Sequence, residues 1–188
     1  KVDDQCGELC TFSPERAKQQ FDASGFTGPI ELISNVDSAI NREWMQAACV
    51  SISNTLGVPC NFVPVPTFSE FLDQRRAENL TGIFRSGWVA STPTMDYVLR
   101  PQYTTGAANN NSGYTNPRFD ALVNQGSTAA TAEEAYALWA EAERVLIQDM
   151  PAVAINDQSA QFGWSPRLQN VEMTYGRELD LETVTVQE

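Results

Sequence analysis

Four consecutive residues, Arg85-Ser86-Gly87-Trp88, carry the most suggestive chemistry in the sequence. A guanidinium grips a carboxylate through a rigid, planar fork of donors. Serine and glycine are small enough to let a ligand approach the main chain, and an indole supplies a large flat surface. Together they suit non-covalent capture. Tyr97, Tyr103 and Tyr114 crowd the same stretch, and phenol rings suit a wet pocket that needs both stacking and hydrogen bonds. Each residue also has a plainer explanation. From spacing alone, Trp88 is first a core or rim aromatic, and Arg85 is first one half of a surface salt bridge.

Other chemistries fare worse. The chain of 188 residues contains no histidine. That removes the Ser-His and Cys-His nucleophile pairs and most catalytic zinc sites. Asp96 and Asp120 could form a general acid/base pair, as in a secreted hydrolase, but nothing in their spacing supports it. The formal net charge of −12 argues against nucleic acid or an anionic membrane as partner. No cofactor is expected. No apolar run approaches the ~18 residues of a membrane span.

The four cysteines, Cys6, Cys10, Cys49 and Cys60, are spaced C-x3-C and C-x10-C, unlike paired zinc C-x2-C motifs. Disulfides are favoured over zinc or free thiols, with Cys6–Cys10 and Cys49–Cys60 preferred because each has a near neighbour. Closing the second loop stabilises by roughly 3 kcal/mol in the chain-entropy account. Disulfides imply an oxidising, extracytoplasmic setting.

The elements that must position these groups alternate. Residues 1–12 read as a stapled loop. Ser13-Pro14 opens a helix with Ala17, Phe21 and Ala23 inward, and Gly25 ends it. A strand is expected over 29–34. A long helix follows over 39–56, with Ile40, Trp44, Ala47, Ala48, Ile52 and Leu56 as its core face and Gly57 as its C-cap. The prolines of residues 58–65 mark an edge strand. Thr67 and Glu70 form a capping box opening a helix to about 77, with Phe68, Phe71 and Leu72 inward. A strand over 81–86 then delivers Arg85. The α/β alternation predicts a mostly parallel sheet flanked by helices, and such sheets bind ligands beyond the carboxyl ends of their strands.

Residues 87–115 read as a long loop. Asn116-Pro117 starts a helix to about 123. Thr131 and Glu134 cap a second over about 132–149, with Ala135, Leu138, Trp139, Ala142, Val145 and Leu146 on one side. Pro151 stops it before a short apolar strand at 152–156. Residues 171–174 and 181–186 are strand-like.

Taken in order, SPERAKQQFDASG, SISNTLGV, PTFSEF, FRSGW with Pro93 six residues beyond its glycine, YTTG, SGYTNPRFDAL and AEAERVLIQDMPAVAI resemble the family 5 solute-binding proteins. These are the dipeptide- and oligopeptide-binding receptors of bacterial ABC importers, and the cysteine-bearing actinobacterial branch looks closest. The resemblance covers the carboxyl-terminal half of such a two-lobed receptor. It implies a type II periplasmic-binding-protein-like lobe over 1–170. Residues 171–188 would return to an amino-terminal lobe missing from this sequence.

The resemblance further implies a binding protein, not an enzyme. Its ligand would be an oligopeptide or similar extended polar solute, its partner a membrane permease, and its place extracytoplasmic, on a lipid anchor at the cell surface or in a periplasm. Arg85 matches a position that can meet a peptide carboxylate. Gly87, Trp88, Val89 and Ala90 match the segment whose main chain pairs with an extended peptide. Ser91 stands where relatives place an acid that holds the peptide amine. Its hydroxyl lacks that charge, and Asp96 is the candidate substitute. Tyr97 completes the expected site. A peptide-sensing module without transport would share all these features.

Overall fold

The computed structural model describes residues 6–156, 161–174, 176 and 178–187, which gather into two compact units, Cys6–Gly87 and Trp88 onward. Residues 1–5 of the expected amino-terminal loop lie outside the described residues.

In the first unit, α1 (Pro14–Ser24) begins where Ser13 accepts the Arg16 N–H and ends at Gly25, whose φ of 71° is the left-handed turn that glycine tolerates. β1 (Ile30–Asn35) is the centre of a parallel three-stranded sheet, with β2 (Cys60–Val65) on one side and β3 (Ile83–Phe84) on the other. Successive β1 side chains alternate between two helices. Leu32 packs with Met45 and Cys49 of α2 (Ala39–Leu56), and Ile33 with Phe71 of α3 (Phe68–Arg76). Both faces of the central strand are thereby covered, as parallel sheets require.

Both expected disulfides are present. Cys49–Cys60 ties α2 to β2 inside this core, whereas Cys6–Cys10 staples a short 3-10 turn over Gly7–Cys10.

Several expectations fail here for physical reasons. The core face of α2 is centred on Met45 and Cys49, so Ala47 is exposed and Ile40 is 75% exposed. Phe68 is also partly exposed, because α3 turns Phe71 toward the sheet. The strand expected over 81–86 pairs only at Ile83–Phe84. Gly82 explains part of this close approach, since a Cβ there would lie 2.8 Å from both Cβ and O of Glu31.

The second unit is mainly helical: α4 (Met95–Tyr103), α5 (Pro117–Ser127) and α6 (Ala132–Asp149). α4 falls inside the expected loop. Met95, Leu99 and Tyr103 recur at helical spacing, and Pro101 lies inside the helix, where proline is disfavoured. Leu99, Phe119, Val123, Ala135, Trp139, Ala142 and Val145 form the buried core. Thr131 caps α6 by accepting the Glu134 N–H, as expected. α5 runs to Ser127, beyond the expected 123, and its Gly126 lies against the Trp139 indole. Residues 152–156 form no strand, and Val153 and Ile155 are exposed. A strand needs a neighbouring main chain, and no described strand runs beside them. In the tail, β4 (Leu168–Gln169) pairs antiparallel with β5 (Thr185–Val186), and Met173 bridges Leu179. The longer strands expected at 171–174 and 181–186 shrink to these contacts.

Two predictions follow from this packing. A Cβ at Gly126 would sit 2.3 Å from Trp139 Nε1. Gly126→Ala is therefore expected to lower urea-unfolding stability by about 1–3 kcal/mol through overpacking. Asp149 accepts from Tyr114 Oη (2.6 Å) and Asn116 Nδ2 (2.7 Å), tying the α6 end to the α5 cap. These two bonds hold the Asp149 carboxyl below its ordinary value. A depressed folded-state pKa gives stability that is present above the unfolded value and lost as pH falls through the folded one. Tyr114→Phe should therefore destabilise at neutral pH, and the deficit should shrink below about pH 4. Unfolding curves at both pH values check this.

Candidate functional site

The sequence-predicted site residues fall at the end of the first unit and the start of the second. β3 ends its ladder where Arg85 N donates to Ile33 O at 3.1 Å. From Ser86 to Thr92 the main chain then makes no hydrogen bond to any described residue. Main-chain groups left unpaired in this way remain in water or meet a ligand. Gly87 lies in this run, and a Cβ added to it would meet nothing within 4 Å. Nothing in the described structure requires a glycine there.

In the first unit, Arg85 is half-buried and forms no salt bridge among the described residues, so the plainer explanation fails for it. Its Nε donates to Asn35 Oδ1 at 2.8 Å. Its guanidinium carbon lies 5.0 Å from the Phe68 ring centroid and 5.6 Å from that of Phe71, within cation–π range. Nη1 and Nη2 have no partner among the described residues. Burial, and then the neighbouring charge of Arg75, push the Arg85 pKa down, while Asp37 opposes them. Arg75 follows Phe71 by one helical turn on α3, and its buried Nε also lacks a hydrogen-bond partner among the described residues. The end of β1 is thus a cationic corner with spare donors.

In the second unit, Trp88 is half-buried and tilted against the Tyr97 ring, with centroids 5.8 Å apart. Its Nε1 donates to Tyr97 O at 3.1 Å. Proline at position 101 explains why that carbonyl is free. In a helix the N–H of residue 101 would bond the carbonyl of residue 97, and proline has no N–H. Trp88 supplies the missing donor. The indole is therefore an anchor that fixes the following residues, and Val89 and Ser91 remain exposed. Tyr136 Oη donates to Pro93 O at 3.4 Å and holds the far end of the same loop.

Asp96 already has partners within the second unit. Its carboxylate accepts Arg100 Nε at 3.0 and 3.2 Å and Ser127 Oγ at 2.9 Å. Arg100 also reaches Asn124 and Val123 O, pinning α4 to α5. Asp120 accepts the Thr105 N–H. Each acid of the supposed catalytic pair thus has a structural partner of its own. The sequence reading missed Asn35, Asp37 and Arg75. The polar Asn-Val-Asp directly after an apolar strand is the available signal.

No protein-family model and no curated protein matches the chain. Solved structures do. Haemophilus influenzae OppA, in complex with the peptide RPPGFSPFR, superposes at a TM-score of 0.72 and 18% identity, over 93% of this chain and 35% of that one. The fold is periplasmic-binding-protein-like, of type II. The Escherichia coli murein tripeptide binding protein MppA matches at 0.67 and 23% identity, over 73% of this chain and 27% of its own. The pheromone receptor PrgZ, described with its mode of peptide binding, matches at 0.64 and 22%, over 93% and 33%. The chain spans 27% to 35% of the length of these three structures.

The Trp88 anchor yields a double-mutant prediction. Trp88→Phe removes the donor to Tyr97 O and should cost about 1 kcal/mol of stability. In a Pro101→Ala background the helix supplies its own N–H, so the same change should cost measurably less. Chemical denaturation of the four variants measures the coupling.

Proposed function

We propose that this chain is the carboxyl-terminal lobe of a family 5 solute-binding receptor, which captures an oligopeptide or similar extended polar solute for an ABC permease. Residues 1–170 belong to that lobe, and 171–188 return to an amino-terminal lobe outside this sequence. The protein works outside the cytoplasm, in keeping with its two disulfides. Lipid anchoring at the surface and kinship with the actinobacterial branch complete the proposal. Binding rather than catalysis is its task, and the fold neighbours described above are peptide-binding proteins.

The observation that carries this reading is the main chain from Ser86 to Thr92, which pairs with no described residue. An extended peptide can add to such a run as a strand adds to a sheet edge, with the main chain supplying affinity and side chains selecting. Gly87, Trp88, Val89, Ala90 and Ser91 form this wall, Tyr97 supports it through Trp88, and Arg85 receives an anionic group. Ser91 leaves no charge for a ligand amine at that position, and the charge of Asp96 is already shared with Arg100 and Ser127. The ligand is therefore held mainly through its backbone.

Gly87 gives the test. Tryptophan fluorescence or calorimetry on the two-lobed receptor with a peptide library should find binders. Gly87→Pro removes a main-chain donor from this run and should weaken peptide binding at least about tenfold, with urea unfolding checking that the protein stays folded. Unchanged affinity in a well-folded Gly87→Pro protein would reject this wall. No response to any peptide, with a response to sugars or metal chelates, would reject the ligand class.

A further inference from the structure

Asn35 ends the central strand, 3% exposed, and its amide must place an acceptor on one side and donors on the other. Arg85 Nε can only donate, and it reaches Asn35 Oδ1 at 2.8 Å. The ionised Asp37 carboxylate can only accept, and its Oδ1 takes Asn35 Nδ2. Asn41 Nδ2 also donates to Asn35 Oδ1, at 3.4 Å. One amide orientation satisfies all three, and Asp37 is the group that selects it. If the amide flipped, two N–H donors would face each other at Arg85, and a carbonyl would face a carboxylate. The other Asp37 oxygen, Oδ2, accepts Phe68 N at 2.8 Å, at the first residue of α3. That helix carries the two rings over which the Arg85 guanidinium lies. A single carboxylate therefore sets both the acceptor that holds Nε and the aromatic platform beneath the plane. Nη1 and Nη2 are left pointing at no described partner.

We infer that Asp37 is a positioning residue for Arg85: through Asn35 and through the start of α3 it holds the guanidinium preassembled, with its terminal nitrogens free for one carboxylate of the ligand. The functional half of this inference rests on the reading of Arg85 as a ligand group. The positioning half does not. A carboxylate in this place also tempers the cost of a half-buried arginine without neutralising it, because its oxygens are engaged by Asn35 and Phe68 rather than by the guanidinium.

The test uses the ¹⁵N-labelled chain and the arginine Nε–Hε resonances, with Arg85 assigned by its loss in Arg85→Lys. In the wild type, Arg85 Hε should exchange with water more slowly than that of exposed Arg42. Asp37→Asn should accelerate Arg85 Hε exchange at least about tenfold, as loss of a charge-assisted hydrogen bond allows. Asp37→Ala, which removes the acceptors of both Asn35 Nδ2 and Phe68 N, should accelerate it similarly. Thr67→Ala removes the other α3 cap, the acceptor of Glu70 N, without touching Asn35, and should change the rate less than about twofold.

Unchanged Arg85 exchange in both Asp37 variants would overturn the inference. So would equal acceleration by Thr67→Ala, which would reduce Asp37 to a helix cap. In the two-lobed receptor, Asp37→Asn should weaken a library peptide with a free carboxyl terminus by about tenfold and its amidated form by less than about twofold. Equal loss on both would overturn the carboxylate role. A receptor that binds no peptide but shows the Arg85 exchange signature would reject the proposed function and still support the positioning.

Discussion

A buried amide at the carboxyl end of the central strand constrains everything around it. Asn35 sits where β1 leaves the core, and a polar group so enclosed costs free energy unless each of its atoms finds a partner. Its partners come from β3, from the turn after β1 and from the start of α2. Meeting those demands fixes the direction in which Arg85 leaves the sheet and, through Asp37, where α3 begins. The apolar layers formed by Leu32 with α2 and Ile33 with α3 give the sheet its stability. The Asn35 network gives its edge a defined chemistry.

A second device, independent of the first, acts at the start of the helical unit. Pro101 deprives α4 of one hydrogen bond, and the Trp88 indole replaces it. A residue that looks like a ligand platform is therefore also an anchor. The two roles are compatible: fixing Trp88 orders the segment that follows, and an ordered main chain loses less entropy when it binds. From Ser86 to Thr92 the polypeptide carries main-chain donors and acceptors that no described residue uses. An open sheet edge is usually protected against unwanted pairing. Here the unpaired run is short and rich in small residues, which suits a chosen guest better than a second sheet.

Much of the architecture could be read from residue order because local and global signals agreed. Ser13-Pro14, Thr67 with Glu70, Asn116-Pro117 and Thr131 with Glu134 each cap the helix they announced. The prolines of β2 marked an edge strand, and the near-neighbour cysteines paired as their spacing suggested. The failures lie where a tertiary partner overrides a local rule. Pro101 concealed α4 because an indole from thirteen residues upstream repairs its missing bond. Ile40 kept the period of a core residue but lies at the start of α2, off the Met45–Cys49 stripe. Residues 152–156 have strand composition but no described neighbour to pair with.

The candidate site was less legible. Arg85, Gly87 and Trp88 stood out by type, but the residues that position them did not. Asn35 and Asp37 looked like turn formers, and only three-dimensional contact shows that they aim a guanidinium. Asp96 illustrates the reverse case. An acid near a binding loop invites a functional role, yet this one is engaged by Arg100 and Ser127 in joining α4 to α5.

The central claim is that the main chain from Ser86 to Thr92 pairs with a guest. Amide hydrogen exchange of the two-lobed receptor, with and without a bound peptide, tests this most directly. The account predicts fast exchange across the amides of that run in the free protein and clear slowing when peptide binds. A peptide that binds tightly while those amides exchange as fast as before would contradict it.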